Sequence, residues 1–204
     1  MNPPGTSVRT PQYPIDSFFA DRWSPRSLVP EPIPEADLFS LFEAARWSPS
    51  SFNNQPWRIL YARRESPEWP LFFDLLAEAN QPWAKDASVL LLFVSHTCFD
   101  HNGKPSPTHS FDCGAAWQSL ALQASLKGYV AHGIGGFDTA RARTVLEVPD
   151  AFQVEAMAAL GRQGPKEALS EELQKREHPN QRRPLVETIA EGKFRSRLIH
   201  SEKK

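Results

Sequence analysis

Apolar residues recur at two spacings along the chain, and these spacings predict most of its elements. Leu38, Leu41, Phe42 and Ala45 fall at i, i+3, i+4 and i+7, which predicts an amphipathic helix ending near Trp47. Pro34 sits where a first-turn proline belongs, and Glu35 and Asp37 follow at the positive helix end. Leu71, Phe72, Leu75, Leu76 and Ala79 repeat the spacing and predict a second helix ending near Asn80. SVLLLFVS (88–95) is a continuous apolar run of strand length, which predicts a strand buried on both faces. WRILYARR (57–64) and FQVEAMAALG (152–161) read as further strands. Residues 111–127 predict a long helix rich in small residues, including Cys113, Gly114, Ala116 and Ala121, with Gly128 ending it. Such a surface admits another helix closely, as in a core or a dimer seam.

Shorter signals complete the pattern. A brief helix from residues 15–19 leads into RWSPR (22–26), Asp138 is placed to cap a short helix to Val148, and residues 170–177 are helical. Residues 99–108, with Gly103, Pro105 and Pro107, read as a loop. The tail over 180–200 is basic and partly extended. Residues 1–15, with prolines at 3, 4, 11 and 14, read as a mobile or draped tail before one domain over 16–204. Helices and strands do not alternate as βαβαβ, so the pattern predicts an α+β fold rather than a doubly wound sheet.

Composition narrows the partners. A chain of 204 residues suits one domain or two small ones, and its net charge of −1 favours neither nucleic acid nor an anionic membrane. No apolar run approaches the roughly 20 residues of a membrane helix. The start MNPPGTSVRTPQYPID lacks an export core, which predicts a cytoplasmic protein. Cys98 and Cys113 sit in apolar or aromatic surroundings and read as reduced, buried thiols. Nineteen prolines and six tryptophans are the unusual counts, and they fall outside any repeat.

Single motifs carry little chemistry. GIGGFD (133–138) has Asp138 where a dinucleotide fingerprint requires glycine, and it lacks a convincing preceding strand in a βαβ unit, although a glycine turn offering N–H groups to a ligand remains open. His96, Cys98, Asp100 and His101 fit no strong zinc spacing and read as a strand end and loop. Ser50 and Ser51 have no histidine near them and no G-x-S-x-G elbow. Arg22, Ser24 and Arg26 alternate in an extended stretch and could converge on one side, while Arg182 and Arg183 precede Pro184. Arginine forks suit phosphate, but each of these alone reads as a solvated surface group. SPSSFNNQPW (48–57) is too polar for a core strand and too proline-rich for a helix interior.

Taken in order, these pieces resemble the nitroreductase family of FMN-dependent oxidoreductases. The carrying segments are RWSPR (22–26), EAARWSPSSFNNQPWRILYARR (43–64), NQPWAKDA (80–87), DCGAAW (112–117), GGFD (135–138) and RRPL (182–185), over residues 15 to 195. The PSSxNxQPW segment is highly specific; the arginine pairs and the glycine turn only support it.

The resemblance implies a mainly antiparallel sheet flanked by helices, in a homodimer with a domain-swapped C-terminal extension and flavin at the interface. Pro49, Ser50, Ser51, Asn53 and Gln55 would line FMN, part of the loop coming from the other subunit. Several short polar groups suit the isoalloxazine rim, and the prolines limit the ordering cost on binding. Arg22 and Ser24 match a phosphate grip, completed by Arg182 or Arg183. Trp23 lies between them in a variable slot. Arg26 matches a cation near flavin N1 and O2, Asn80 an amide on the pyrimidine side, and Gly135 and Gly136 the turn facing N5. Trp83 departs from the pattern, standing where some members carry a second cation, which implies weaker electrostatic tuning or stacking.

The implied activity is a ping-pong cycle. NAD(P)H passes hydride to FMN, and a small-molecule acceptor such as a nitroaromatic or quinone is then reduced without a protein nucleophile. The alternatives are a specialised dehalogenase or ene-type reductase, or a flavin-binding protein without turnover.

Overall fold

A computed structural model describes residues 4–195 of the chain. The end of the basic tail, residues 196–204, lies outside them. Five antiparallel strands form the sheet, in the order β1-β5-β3-β2 with β4 also on β5. These are β1 (Leu28–Val29), β2 (Trp57–Arg63), β3 (Val89–His96), β4 (Val130–Ile134) and β5 (Phe152–Gln163). The long β5 pairs with β3 along one edge, and with β4 and then β1 along the other. No helix among the described residues is long and apolar enough to cross a membrane.

β3 is buried on both faces, as its apolar run predicts, and its alternation distributes two cores. Val89, Leu91 and Phe93 face α2 (Glu35–Arg46) and α5 (His109–Leu126). Leu90, Leu92 and Val94 face the opposite layer, with Phe72, Leu75, Leu76 and Trp83. The buried small residues Cys113, Ala116, Ala121 and Ala124 let α5 lie against the sheet and α2. Beyond its end, Lys127 Nζ and Tyr129 Oη both bond the Asp37 carboxylate at 2.7 Å, joining α5 and β4 to α2. Gly128, at φ 75°, makes the left-handed turn between them.

Three expectations need correction. Pro34 is the cap residue before α2, one place outside the expected first turn. The helix expected over 71–79 stops at Phe73, after α3 (Trp69–Phe73). Its backbone turns instead to residues 136–138: Leu76 bridges Phe137, Ala77 N bonds Gly136 O, and Asp138 N bonds Leu75 O. Leu75 and Leu76 are buried either way, so apolar spacing could not distinguish the two outcomes. The strand before the glycine turn, β4, is antiparallel to β5 and so, as expected, belongs to no βαβ unit. Finally, the indole of Trp83, in α4 (Gln81–Ala84), is buried in the core against His132, with ring centroids 4.6 Å apart.

β1, β4 and α4 had no counterpart in the sequence pattern, whereas the remaining short helices lie close to those it predicts. α1 spans Ser17–Asp21 and α7 spans Glu171–Arg176. α6 (Thr139–Val145) begins at Asp138, whose carboxylate accepts from Arg141 N at 2.9 Å.

Candidate functional site

The predicted site residues fall into two sets. The first begins where α1 ends. Arg22 Nη1 donates to Ser24 Oγ at 3.1 Å, so this pair is preassembled. The main chain beneath it is held from several elements. His132 Nδ1 lies 2.9 Å from Pro25 O; because a carbonyl only accepts, that nitrogen carries the proton. Arg26 N and Ser27 N donate to the buried carboxylate of Glu177 at 2.8 to 3.0 Å. Ser27 Oγ donates to Pro165 O at 2.5 Å. With the main chain so tied, the side chains of Trp23 and Arg26 make no described hydrogen bond and those of Arg22 and Ser24 bond each other, and all four are partly buried.

Electrostatics links this loop to the C-terminal segment. Burial, then the charge of Arg182, lowers the pKa of Arg22. Arg9 is lowered by burial and then by Arg182 and Arg22. Arg183 is a cause of neither shift. His132 is pushed down to about 4, chiefly by burial and further by Arg26 and Arg22, against the opposing bond to Pro25. It is therefore neutral at ordinary pH.

Asn80 is linked to the first set through Trp83, which packs on His132, and is brought to Gly136 by the unexpected pairing of 75–77 with 136–138. Its Nδ2 donates to Gly136 O at 3.0 Å, and its Oδ1 accepts from Trp83 Nε1 at 3.3 Å. A Cβ on Gly136 would lie 2.8 Å from Asn80 Nδ2, so glycine is needed for this approach. A Cβ on Gly135 would meet nothing within 4 Å, so the protein itself leaves space beside that turn.

The second set is the loop after α2. Ser48 is buried and donates to Ser119 Oγ at 2.7 Å, pinning the loop's start on α5. Ser51 N bonds the buried Asp112 carboxylate at 3.1 Å, and Ser50 Oγ accepts from Gln55 N at 2.9 Å. Gln55 Nε2 reaches Asn53 O at 3.0 Å. Phe52, Asn53 and Gln55 have φ of 53°, 53° and 46°. Positive φ is costly for non-glycine residues, above all for a bulky one such as Phe52, and recurs where structure serves a ligand. Pro49, Asn53 and Gln55 are exposed, and so are the rings of Trp47, Phe52 and Phe111 around them.

No described hydrogen bond or ion pair joins the two sets within one chain. Sequence reading missed the residues that hold each set: Arg9, His132 and Glu177 for the first, Asp112 and Asn54 for the second. Asn54 bonds Cys98 O and Asp100 N, fastening the loop to the 99–108 segment. Apart from Asn54 within the polar loop and Asp112 within DCGAAW, these residues had no local signal, since their partners are distant in sequence. No three His, Cys, Asp or Glu side chains converge as a metal group among the described residues.

The sequence profile described as the nitroreductase family matches residues 19–67 and 64–162. The chain belongs to the nitroreductase family. Among relatives of this nitroreductase-family protein, a Streptomyces coelicolor protein named NADH dehydrogenase/NAD(P)H nitroreductase is 32% identical over 102 residues, 50% of each chain. The match thus spans half of that relative's length. A Thermus thermophilus NADH dehydrogenase is 28% identical over 169 residues, 69% of this chain and 82% of that one. A crystal structure described as an oxidoreductase containing FMN is 48% identical, with TM-score 0.88, covering 92% of this chain and 96% of its own. A Desulfovibrio desulfuricans nitroreductase solved with FMN shares the fold at TM-score 0.69 and 24% identity, covering 91% and 100%.

Proposed function

We propose that this chain is an FMN-dependent NAD(P)H oxidoreductase acting as a homodimer. The observation that carries the reading is the preassembled Arg22–Ser24 pair, whose partly buried guanidinium feels the charge of Arg182, an arrangement suited to a phosphate dianion. Relatives named as NADH dehydrogenase and nitroreductase, and a 48% identical structure containing FMN, support the same cofactor and donor. FMN, when bound, would supply the two-electron chemistry, taking hydride from NAD(P)H at N5 and delivering it to an electron-poor acceptor such as a nitroaromatic or quinone.

The chain's own residues bind and orient. Arg22, Ser24 and Arg182 take the phosphate, and the charge effects favour Arg182 over Arg183 for the third place. Arg26 offers a cation toward N1 and O2, and Trp23 an indole between the two arginines. Asn80 fixes the Gly135–Gly136 turn, whose open side leaves room for the ring. The strained polar loop with Pro49, Ser50, Ser51, Asn53 and Gln55 comes from the second subunit, which explains why one chain leaves the two sets unjoined and the rings of Trp47, Phe52 and Phe111 exposed. Asn180 and Leu185 bond the amino-terminal segment of their own chain; the exchanged C-terminal extension is proposed for the residues beyond them. A cytoplasmic setting suits the reduced cofactor pair and the two free cysteines.

The test is the visible spectrum of the purified protein before and after anaerobic NADPH, then NADH. A yellow protein that bleaches is expected. No colour after FMN addition, or colour that neither donor removes, would sink the proposal. Light scattering at micromolar concentration should give twice 23.0 kDa.

A further inference from the structure

Arg9 lies in the amino-terminal strap, outside every motif of the sequence. Its Nε donates to Asn180 O at 2.9 Å, and its Nη1 to Ala20 O at 2.9 Å and Arg22 O at 2.7 Å. The guanidinium is thereby fixed between the segment carrying Arg22 and the segment carrying Arg182. Its Nη2 bonds no acceptor among the described residues, which leaves two N–H donors free of the scaffold.

The strap around it is itself anchored. Thr6 bonds Asp21 through both N and Oγ1, Val8 O accepts from Gln181, and Gln12 accepts from Leu185 N at 2.8 Å. Arg9 and Arg182 both line a cleft of about 470 Å³ between strap and C-terminal segment. No ion pair among the described residues includes Arg9, Arg22 or Arg182. Each of Arg9 and Arg22 is destabilised as a cation by burial and by its arginine neighbours. A structural bolt does not need such repulsion. A site for a doubly charged anion accounts for it, because the ligand offsets it on binding.

We propose that Arg9 is a third cation of the phosphate site, which makes the amino-terminal strap part of the cofactor site. This rests on the FMN reading above. The experiment compares FMN with riboflavin, which lacks only the phosphate, by titration of wild type, Arg9→Gln and Arg9→Lys. Arg9→Gln should weaken FMN about tenfold or more and leave riboflavin within about twofold, while Arg9→Lys keeps most of the FMN preference. Equal losses for both ligands would make Arg9 a scaffold bolt and overturn the proposal, as would no loss. A wild type that prefers FMN no more than riboflavin would overturn the phosphate site itself, a result distinguishable from failure at Arg9 alone.

Phenylglyoxal labelling of wild type, mapped by mass spectrometry, tests the same point if Arg9→Gln does not fold. FMN should protect Arg9 severalfold and riboflavin should not. Absence of FMN protection would overturn the proposal.

Discussion

Removing the titrating ring of His132 should flatten the acid dependence of stability. His132 packs on Trp83, donates from Nδ1 to Pro25 O, and lies near Arg22 and Arg26, so a second proton would place a third cation in a partly buried space. Its folded pKa of about 4 lies below the unfolded value of 6.5. The unfolded chain therefore takes up the proton first, and the stabilisation is complete above pH 6.5 and lost as pH falls toward 4. Between about pH 7 and pH 5 the two values give a loss of about 2 kcal/mol from this one group, at 1.36 kcal/mol per unit.

His132→Asn places an amide donor near the Nδ1 position and cannot titrate. It should be less stable than wild type at pH 7, because the ring packing on Trp83 is lost. Its disadvantage should shrink by about 2 kcal/mol by pH 5. Urea unfolding of both proteins at matched flavin content measures this directly, since other titrating groups cancel in the difference. Equal pH slopes would refute the reasoning, because the ring would then be protonated or solvated in the folded state.

Three further outcomes follow from the geometry. Arg22→Ala should weaken FMN about 10- to 100-fold, from the loss of a charge-assisted bond of about 1.5–3 kcal/mol, with the urea midpoint nearly kept; unchanged FMN retention would remove the phosphate assignment. Ser48→Ala should cost about 1–2 kcal/mol in urea unfolding, since Ser119 loses a donor at the buried start of the loop, and an unchanged midpoint would show that the bond contributes nothing. Gly136→Ala would displace Asn80 from its 3.0 Å bond and should slow flavin reduction by NAD(P)H in stopped flow without abolishing folding; wild-type rates would show that the Asn80–Gly136 contact does not set the turn.

Much of the fold was legible because local periodicity and global packing agree. The alternation of β3 between two cores follows from an apolar run of strand length, and the small-residue helix α5 from its own composition. The site motifs were legible as short polar or glycine-rich strings whose presence propensity alone does not explain. Where two conformations bury the same side chains, the sequence was silent: Leu75 and Leu76 are core residues whether 71–79 is a helix or, as observed, a break paired with 136–138. That pairing is what brings Asn80 to Gly136.

The chain's own sequence thus determined the element types, the buried faces and the segments rich in ligand-binding groups, because those depend on neighbours within a few residues. Only the tertiary structure decided which segments meet. Arg9 reaches the carbonyl of Asn180 across 171 positions, and Glu177 reaches the N–H of Arg26 across 151. A buried carboxylate satisfied by backbone donors, or an arginine spent on carbonyls, has no local signature, since either is stable only when distant backbone supplies its partners. The same limit governs the two sets of predicted site residues, which no described hydrogen bond joins within one chain.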